Sequence, residues 1–239
     1  MRLENNFEGG SDTTTITAGN SGGISGTAFT TVSASLATIT YSSTTTRQTD
    51  SLLAARYAAT SNGASALVRF FFTAVDIVYV RAYIKSTTLS GAIWPLRVLS
   101  SSSAQNNYFY INSSGNFVIR SHDVQEDIST MSFSNDTWYR LEMKVQSGAT
   151  TNGAITGRIF SSIESNTIAE TLSLPACTTS TGPTDLRNVY YGFTASTNNT
   201  NVLYTDDVAA TDTDWLGPVD YINILNNTKF FNPQAVYRM

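Results

Sequence analysis

The sequence predicts an all-β protein, a two-sheet antiparallel jelly-roll sandwich, on three observations. Short runs rich in Val, Ile, Thr, Tyr and Phe recur along the chain, and such residues fit a pleated, half-buried surface. Clusters of Gly, Asn, Asp and Ser separate these runs at intervals of about 8–12 residues, the spacing of a sandwich. No stretch carries a convincing helical apolar period, and no fixed-length repeat of the propeller or solenoid kind is visible. At 239 residues a single domain can bury its own core without a disulfide or a metal.

Taken in order, Phe7 sits among Asn and Gly as expected of a short edge strand, with Glu8 beside it. Residues 13–46 are rich in Thr, Ser and Gly; 13–17 and 36–41 read as strands because β-branched Thr dominates. Leu52–Ala58 fits either a helical turn or a strand, and Ser65–Thr73 is an unbroken buried strand. Val78–Lys85 alternates: Val78, Val80, Ala82 and Ile84 face a core, while Tyr79, Arg81, Tyr83 and Lys85 face outward. Trp94–Leu99 follows, then the clearest hairpin, Tyr108–Ile111 and Asn116–Arg120 around the turn Asn112-Ser113-Ser114-Gly115. Trp138–Val145 alternates again and predicts Arg140, Glu142 and Lys144 in water. Ala154–Phe160, Thr167–Leu174, Val189–Ala195 and Val202–Ala209 complete the series. The sandwich is expected to span 1–218 and to close at Trp215-Leu216-Gly217-Pro218.

Composition excludes several partners. Charged residues are 13% of the chain and the net charge is −4. The arginines form no basic stripe along the sequence, so nucleic acid is not expected to bind. The apolar run from Ala66 to Val80 is broken by Arg69 and Asp76 and is too short to span a bilayer, so no membrane insertion is expected. The one cysteine, Cys177, leaves no internal disulfide and reads as a partly buried, inert thiol.

Three groups of residues carry candidate chemistry. If the first and last strands meet, Glu8 comes near Asp206 and Asp207; these oxygen ligands, without His or Cys, fit Ca²⁺ rather than zinc. Tyr108 and Tyr110 share one face of the hairpin, and Tyr79 and Tyr83 share one face of their strand; either pair could stack on a sugar ring or a neighbouring subunit. His122, the single histidine, stands beside Asp123, without a nucleophile elbow to complete a triad, and reads as a surface residue. No carboxylate pair is marked as a glycosidase pair, and no phosphate loop occurs. Beyond Pro218 the segment 219–239 holds Tyr221, Ile222, Ile224, Leu225, Phe230, Phe231 and Tyr237, too apolar for a free tail. It reads as a strap on its own domain or as an arm docking on a neighbour.

Phe7-Glu8-Gly9-Gly10, Gly19–Phe29, Trp138-Tyr139-Arg140-Leu141-Glu142 and Asp206-Asp207-Val208 with Trp215–Pro218 together resemble concanavalin A-like/LamG-like jelly rolls found among virion structural proteins of tailed bacteriophages. The resemblance covers roughly residues 5–218. It implies a non-enzymatic protein on the particle exterior, as a capsid decoration, head fibre or minor tail protein. Its partners would be other virion proteins and further copies of itself, with glycans as an added ligand. No apolar signal core follows Met1-Arg2-Leu3-Glu4-Asn5, which fits synthesis in a host cytoplasm. The same ends also resemble carbohydrate-binding jelly rolls, where positions matching Glu8 and Asp207 hold a structural calcium. The alternative expectation is therefore a module recognising a cell-surface glycan. The paired-glutamate motif of laminarinase-like enzymes and the Arg/Gln/His motifs of alginate lyases are absent from the sequence, which argues against an enzyme.

Overall fold

A computed structural model describes residues 1–47, 51–101, 106–182, 184–196 and 201–219. These residues form fifteen β-strands and no α-helix: β1 Arg2–Asn5, β2 Thr31–Ser35, β3 Ala37–Ser42, β4 Ala54–Ala59, β5 Ala64–Val75, β6 Ile77–Thr88, β7 Ile93–Ser100, β8 Asn106–Ile111, β9 Asn116–Arg120, β10 Glu126–Ser132, β11 Tyr139–Gln146, β12 Gly153–Phe160, β13 Glu170–Cys177, β14 Leu186–Ser196 and β15 Val202–Thr211. The chain is thus a two-sheet antiparallel sandwich. The ambiguous 52–58 stretch is strand β4, while 13–17 contributes only a bridge from Thr15 to Thr40.

The terminal sheet, which holds the first and last strands, runs β13-β12-β11-β6-β15-β4-β3, with β1 added beside β15. The opposing sheet runs β10-β9-β8-β7-β14-β5-β2. Strand β4 pairs with the first half of β15, Val202 to Thr205, and β1 with its second half, Val208 to Thr211. Between the two lies a bulge: Asp206 faces Tyr83 and Ala209 faces Arg81, so β15 carries one residue more than β6 there. Asp207 takes φ 44° at the bulge, a left-handed conformation that Asp tolerates better than most residues. Two adjacent carboxylates consequently share the outer face, where strict alternation would bury one of them in the core.

The core lies between the sheets. From the terminal sheet come Val80, Ile84, Leu141, Met143, Ile155 and Val208; from the opposing sheet come Val68, Leu96, Phe109, Ile119, Val189 and Phe193, all buried. Phe7, Phe29, Phe70 and Tyr191 continue it as a chain of rings with centroids 5.5, 4.9 and 6.0 Å apart. Each such side chain contributes roughly 1.5–3 kcal/mol by burial. Gly157 keeps the sheets close, because a Cβ there would stand 2.6 Å from the Ile119 side chain.

The outward face of the terminal sheet departs from the sequence reading. Arg140 and Glu142 are not in water: they are 0% and 1% exposed, and Arg81 is 3% exposed. The loops after β12 and β15 cover them. Arg140 donates to the carbonyls of Ile163 (2.7 Å) and Ser165 (2.8 Å), and Arg81 to that of Gly217 (2.9 Å). Alternation along a strand tells inward from outward, but not covered from exposed.

Candidate functional site

On the opposing sheet one residue from every strand falls into a single cross-strand row. Thr31 on β2 faces Arg69 on β5, which faces Tyr190 on β14, then Arg97 on β7, Tyr108 on β8, Arg120 on β9 and Glu126 on β10. Their chain neighbours Val68, Phe70, Val189, Tyr191, Leu96, Val98, Phe109 and Ile119 are buried, so the row itself points away from the core. Arginine and tyrosine alternate along its centre: Arg69, Tyr190, Arg97, Tyr108, Arg120.

The row is organised by its own contacts. Arg69 donates to the Thr31 hydroxyl (2.8 Å) and to the Tyr190 phenol (3.3 Å). The Arg69 and Arg97 guanidiniums lie 5.7 and 4.8 Å from the Tyr190 ring centroid, within cation–π range. Burial pulls the Arg97 guanidinium below its ordinary value, opposed by the neighbouring Tyr108 and Tyr190. The Nε atoms of Arg69 and Arg97 are buried without a hydrogen-bond partner among the described residues, so they are closed to a ligand, and the Nη groups, with two hydrogens each, carry the donors an anionic ligand could use. Only at the β10 end does a carboxylate enter, with Glu126 3.6 Å from Arg120.

A cleft of about 290 Å³ opens on this face, lined by Trp94, Asn106, Tyr108, Arg120, Ser121, His122 and Thr194. Tyr108 therefore stands on its wall. Tyr110 lies deeper, 8% exposed. It stacks on Trp94 with centroids 5.8 Å apart, and its hydroxyl donates to Glu126 at 2.8 Å. Burial, reinforced by Glu126, pushes the Tyr110 phenol up to about 12. His122 belongs to this cleft, a placement that its sequence neighbourhood did not signal. Arg69, Arg97, Arg120 and Tyr190 were likewise not singled out by sequence reasoning; the available signal was a polar or aromatic residue outward in an otherwise apolar strand.

Tyr79 and Tyr83 lie on the opposite side of the molecule. Tyr83 is fully buried: the Arg47 guanidinium sits 4.2 Å from its ring centroid, and its hydroxyl accepts from the Val219 amide at 3.0 Å. It offers no face to a ligand, because the covering loops take it. Tyr79 packs edge-on against Trp215, centroids 5.4 Å apart.

The first and last described strands meet as the sequence suggested, and the three carboxylates divide. Asp207 pairs with Arg47 (Nη2 2.7 Å), which also bonds Glu164. Asp206, fully buried, and Glu8 converge on the Ser51 hydroxyl at 3.0 and 2.8 Å, with the Leu53 carbonyl at 3.2 Å. Glu8 also accepts from the Leu52 amide at 3.0 Å. One hydroxyl proton cannot serve three acceptors, so a further proton or a cation is called for. Burial raises Asp206 well above the ordinary carboxylate value, and the Asp207 charge adds to the rise. Glu8, Ser51, Asp206 and the Leu53 carbonyl form an all-oxygen donor set of the kind calcium takes. No cluster of three or more His, Cys, Asp or Glu side chains that could hold a metal occurs among the described residues. The predicted arm residues Tyr221, Ile222, Ile224, Leu225, Phe230, Phe231 and Tyr237 fall outside the described residues.

Neither a protein-family model nor a curated protein matches the sequence. The fold is similar to three solved structures, each with a TM-score of 0.60. The endo-β-1,4-glucuronan lyase of the fungus Trichoderma reesei is 10% identical, over 88% of this chain and 95% of that one. The alginate lyase Aly36B, solved with alginate trisaccharide, is 11% identical over 89% and 98%. The cellulose-induced protein Cip1 is 13% identical over 91% and 100%. At these identities the likeness concerns the fold, a jelly-roll-like sandwich. It corrects the expectation of a non-enzymatic virion protein. The solved structures that share this fold include polysaccharide lyases, and none of these comparisons links the chain to a bacteriophage. The missing sequence motifs therefore do not argue against an enzyme, because folds this similar carry that activity at about 10% identity.

Proposed function

We propose that the chain binds a uronate-containing polysaccharide on the open face of the opposing sheet and cleaves it by β-elimination. The observation that carries the reading is the row Arg69–Tyr190–Arg97–Tyr108–Arg120. It places three guanidiniums in register, with tyrosines between them and no carboxylate until Glu126 at the edge. Guanidiniums bind carboxylates through paired, charge-assisted hydrogen bonds, and phenol rings give sugar rings a surface to lie on. The lyases of similar fold support it as an analogy of architecture.

Elimination needs three things from the protein. The uronate carboxylate must be neutralised so that the C5 proton becomes acidic; Arg97, between Tyr190 and Tyr108 at the centre of the row, does this. A base must take that proton, and we assign His122, the chain's one imidazole, on the cleft wall. The C4–O bond then breaks as the C4=C5 double bond forms, and Tyr108, beside Arg97 in the row, gives its proton to the departing oxygen. The proton gained by His122 and the one lost by Tyr108 return through solvent, so the site is restored. Calcium on Glu8, Ser51 and Asp206 belongs to the proposal as a structural ion remote from this chemistry.

The test is incubation with alginate and with β-1,4-glucuronan, following the ultraviolet absorbance of the new double bond. Unsaturated products from the wild type, lost in Tyr108→Phe, are expected. Saturable binding without any product would overturn the chemistry, and no binding would overturn the whole reading.

A further inference from the structure

We infer that the arginine ladder selects polyuronates whose rings are linked through equatorial bonds at both ends, and excludes those linked through axial bonds. The inference rests on the acidic-polysaccharide reading and deepens it.

The argument is one of register. Arg69, Arg97 and Arg120 stand on β5, β7 and β9, and one strand, β14 or β8, separates each pair. Neighbouring strands are about 4.8 Å apart, so successive guanidiniums are rooted about 10 Å apart and the ladder spans about 19 Å. A polyuronate with diequatorial 1,4-links is a flat twofold ribbon, in which each ring is turned over relative to the last. Its carboxylates therefore return to the same side at every second ring, a length comparable with two strand spacings. Laid along the row, such a chain meets one guanidinium with every second carboxylate. The intervening rings pass over Tyr190 and Tyr108, which alternate with the arginines in the same order.

A diaxially linked chain is buckled and advances less per ring. Its carboxylates fall out of step after the first guanidinium, and its ring faces tilt away from the tyrosines. The ladder has little freedom to follow. Arg69 is held by Thr31 and Tyr190, Arg97 lies against Tyr190, and Arg120 is drawn toward Glu126. The ladder also ends abruptly: Thr31 is uncharged and Glu126 is acidic, so about four rings fill it.

The experiment measures affinity and initial elimination rate of the full chain on poly-β-mannuronate, β-1,4-glucuronan and poly-α-guluronate. The first two are diequatorial and the third diaxial. Preference for either diequatorial polymer by on the order of tenfold or more is expected. Arg69→Gln and Arg120→Gln should each lower affinity for these polymers on the order of tenfold, and should lower affinity for a disaccharide, which reaches only one arginine at a time, by less. Arg69→Lys and Arg120→Lys, which keep the charge but not the fork, serve if a glutamine variant misfolds; they should fall between wild type and glutamine. Equal or better performance on poly-α-guluronate would overturn the ladder while leaving the acidic-polysaccharide reading intact. Failure to bind any of the three would overturn both.

Discussion

The two outer faces of this sandwich use the same residue types to opposite ends. On the terminal sheet, Arg140 faces Tyr83 and Glu142 faces Arg81 across β11 and β6; on the opposing sheet, Arg69 and Arg97 face Tyr190. The first set is sealed. Arg140 lies 3.1 Å from Glu142, Arg47 is paired with Asp207, and loop carbonyls take further donors. The second set is half-buried, with one carboxylate at its edge, 3.6 Å from Arg120. An arginine beside a tyrosine becomes scaffold where a carboxylate stands in register and a loop covers the pair. Without either, in the function proposed here, it serves as a surface for anions. Burying ions costs several kcal/mol each unless they are fully paired, so the pairing must accompany the covering.

The contrast breaks most visibly under substitution. Tyr108→Phe on the open face should lower the elimination rate on the order of 10²–10⁴-fold, with circular dichroism and Tm unchanged within a few degrees. If Tm falls as far as the rate, the open face is scaffold too. On the sealed face, Glu142→Ala leaves Arg140 and Arg81 facing a lost charge. It should cost about 3–5 kcal/mol, or roughly 6–20 °C in Tm for a domain of this size, while the folded fraction keeps its substrate affinity.

A subtler effect sharpens the sealed side. Asp206 is raised in the folded state above 3.8, its unfolded value, by burial and by Asp207. The folded state therefore holds the extra proton. The stability this confers is fully present below 3.8 and is lost as the pH rises toward the raised value. Asp206→Asn should flatten this decline in chelator and raise Tm at pH 8, by about 2–4 °C per kcal/mol recovered. With millimolar calcium the order should reverse, because the wild type alone would offer the second carboxylate. If calcium changes neither protein, the convergence on Ser51 is satisfied by a proton alone.

How far the sequence could be read follows from which interactions are local. Strands such as β6, β8, β9 and β11 were legible because alternation is a property of one segment. The meeting of Glu8 with Asp206 was legible because termini that close a sandwich lie side by side. The bulge at Asp206 and Asp207 was not, since it arises where β4 hands over to β1 along β15. Nor was the arginine ladder: its members lie at 69, 190, 97, 108 and 120, and only the strand order brings them together. Tyr108 was singled out in a pair with Tyr110, without the guanidiniums that give it a role. The exclusion of a basic stripe was true of the chain as written and did not extend to the folded surface.

The most direct measurement sets one arginine from each face side by side. Arg97→Gln and Arg158→Gln would be assayed together for elimination on a diequatorial polyuronate, each shown to be folded. Arg158 lies on the terminal sheet, 3.6 Å from the Trp215 ring centroid. The account predicts that Arg97→Gln abolishes product formation while Arg158→Gln keeps the wild-type rate. Equal rates in the two variants, or a loss confined to Arg158→Gln, would contradict it.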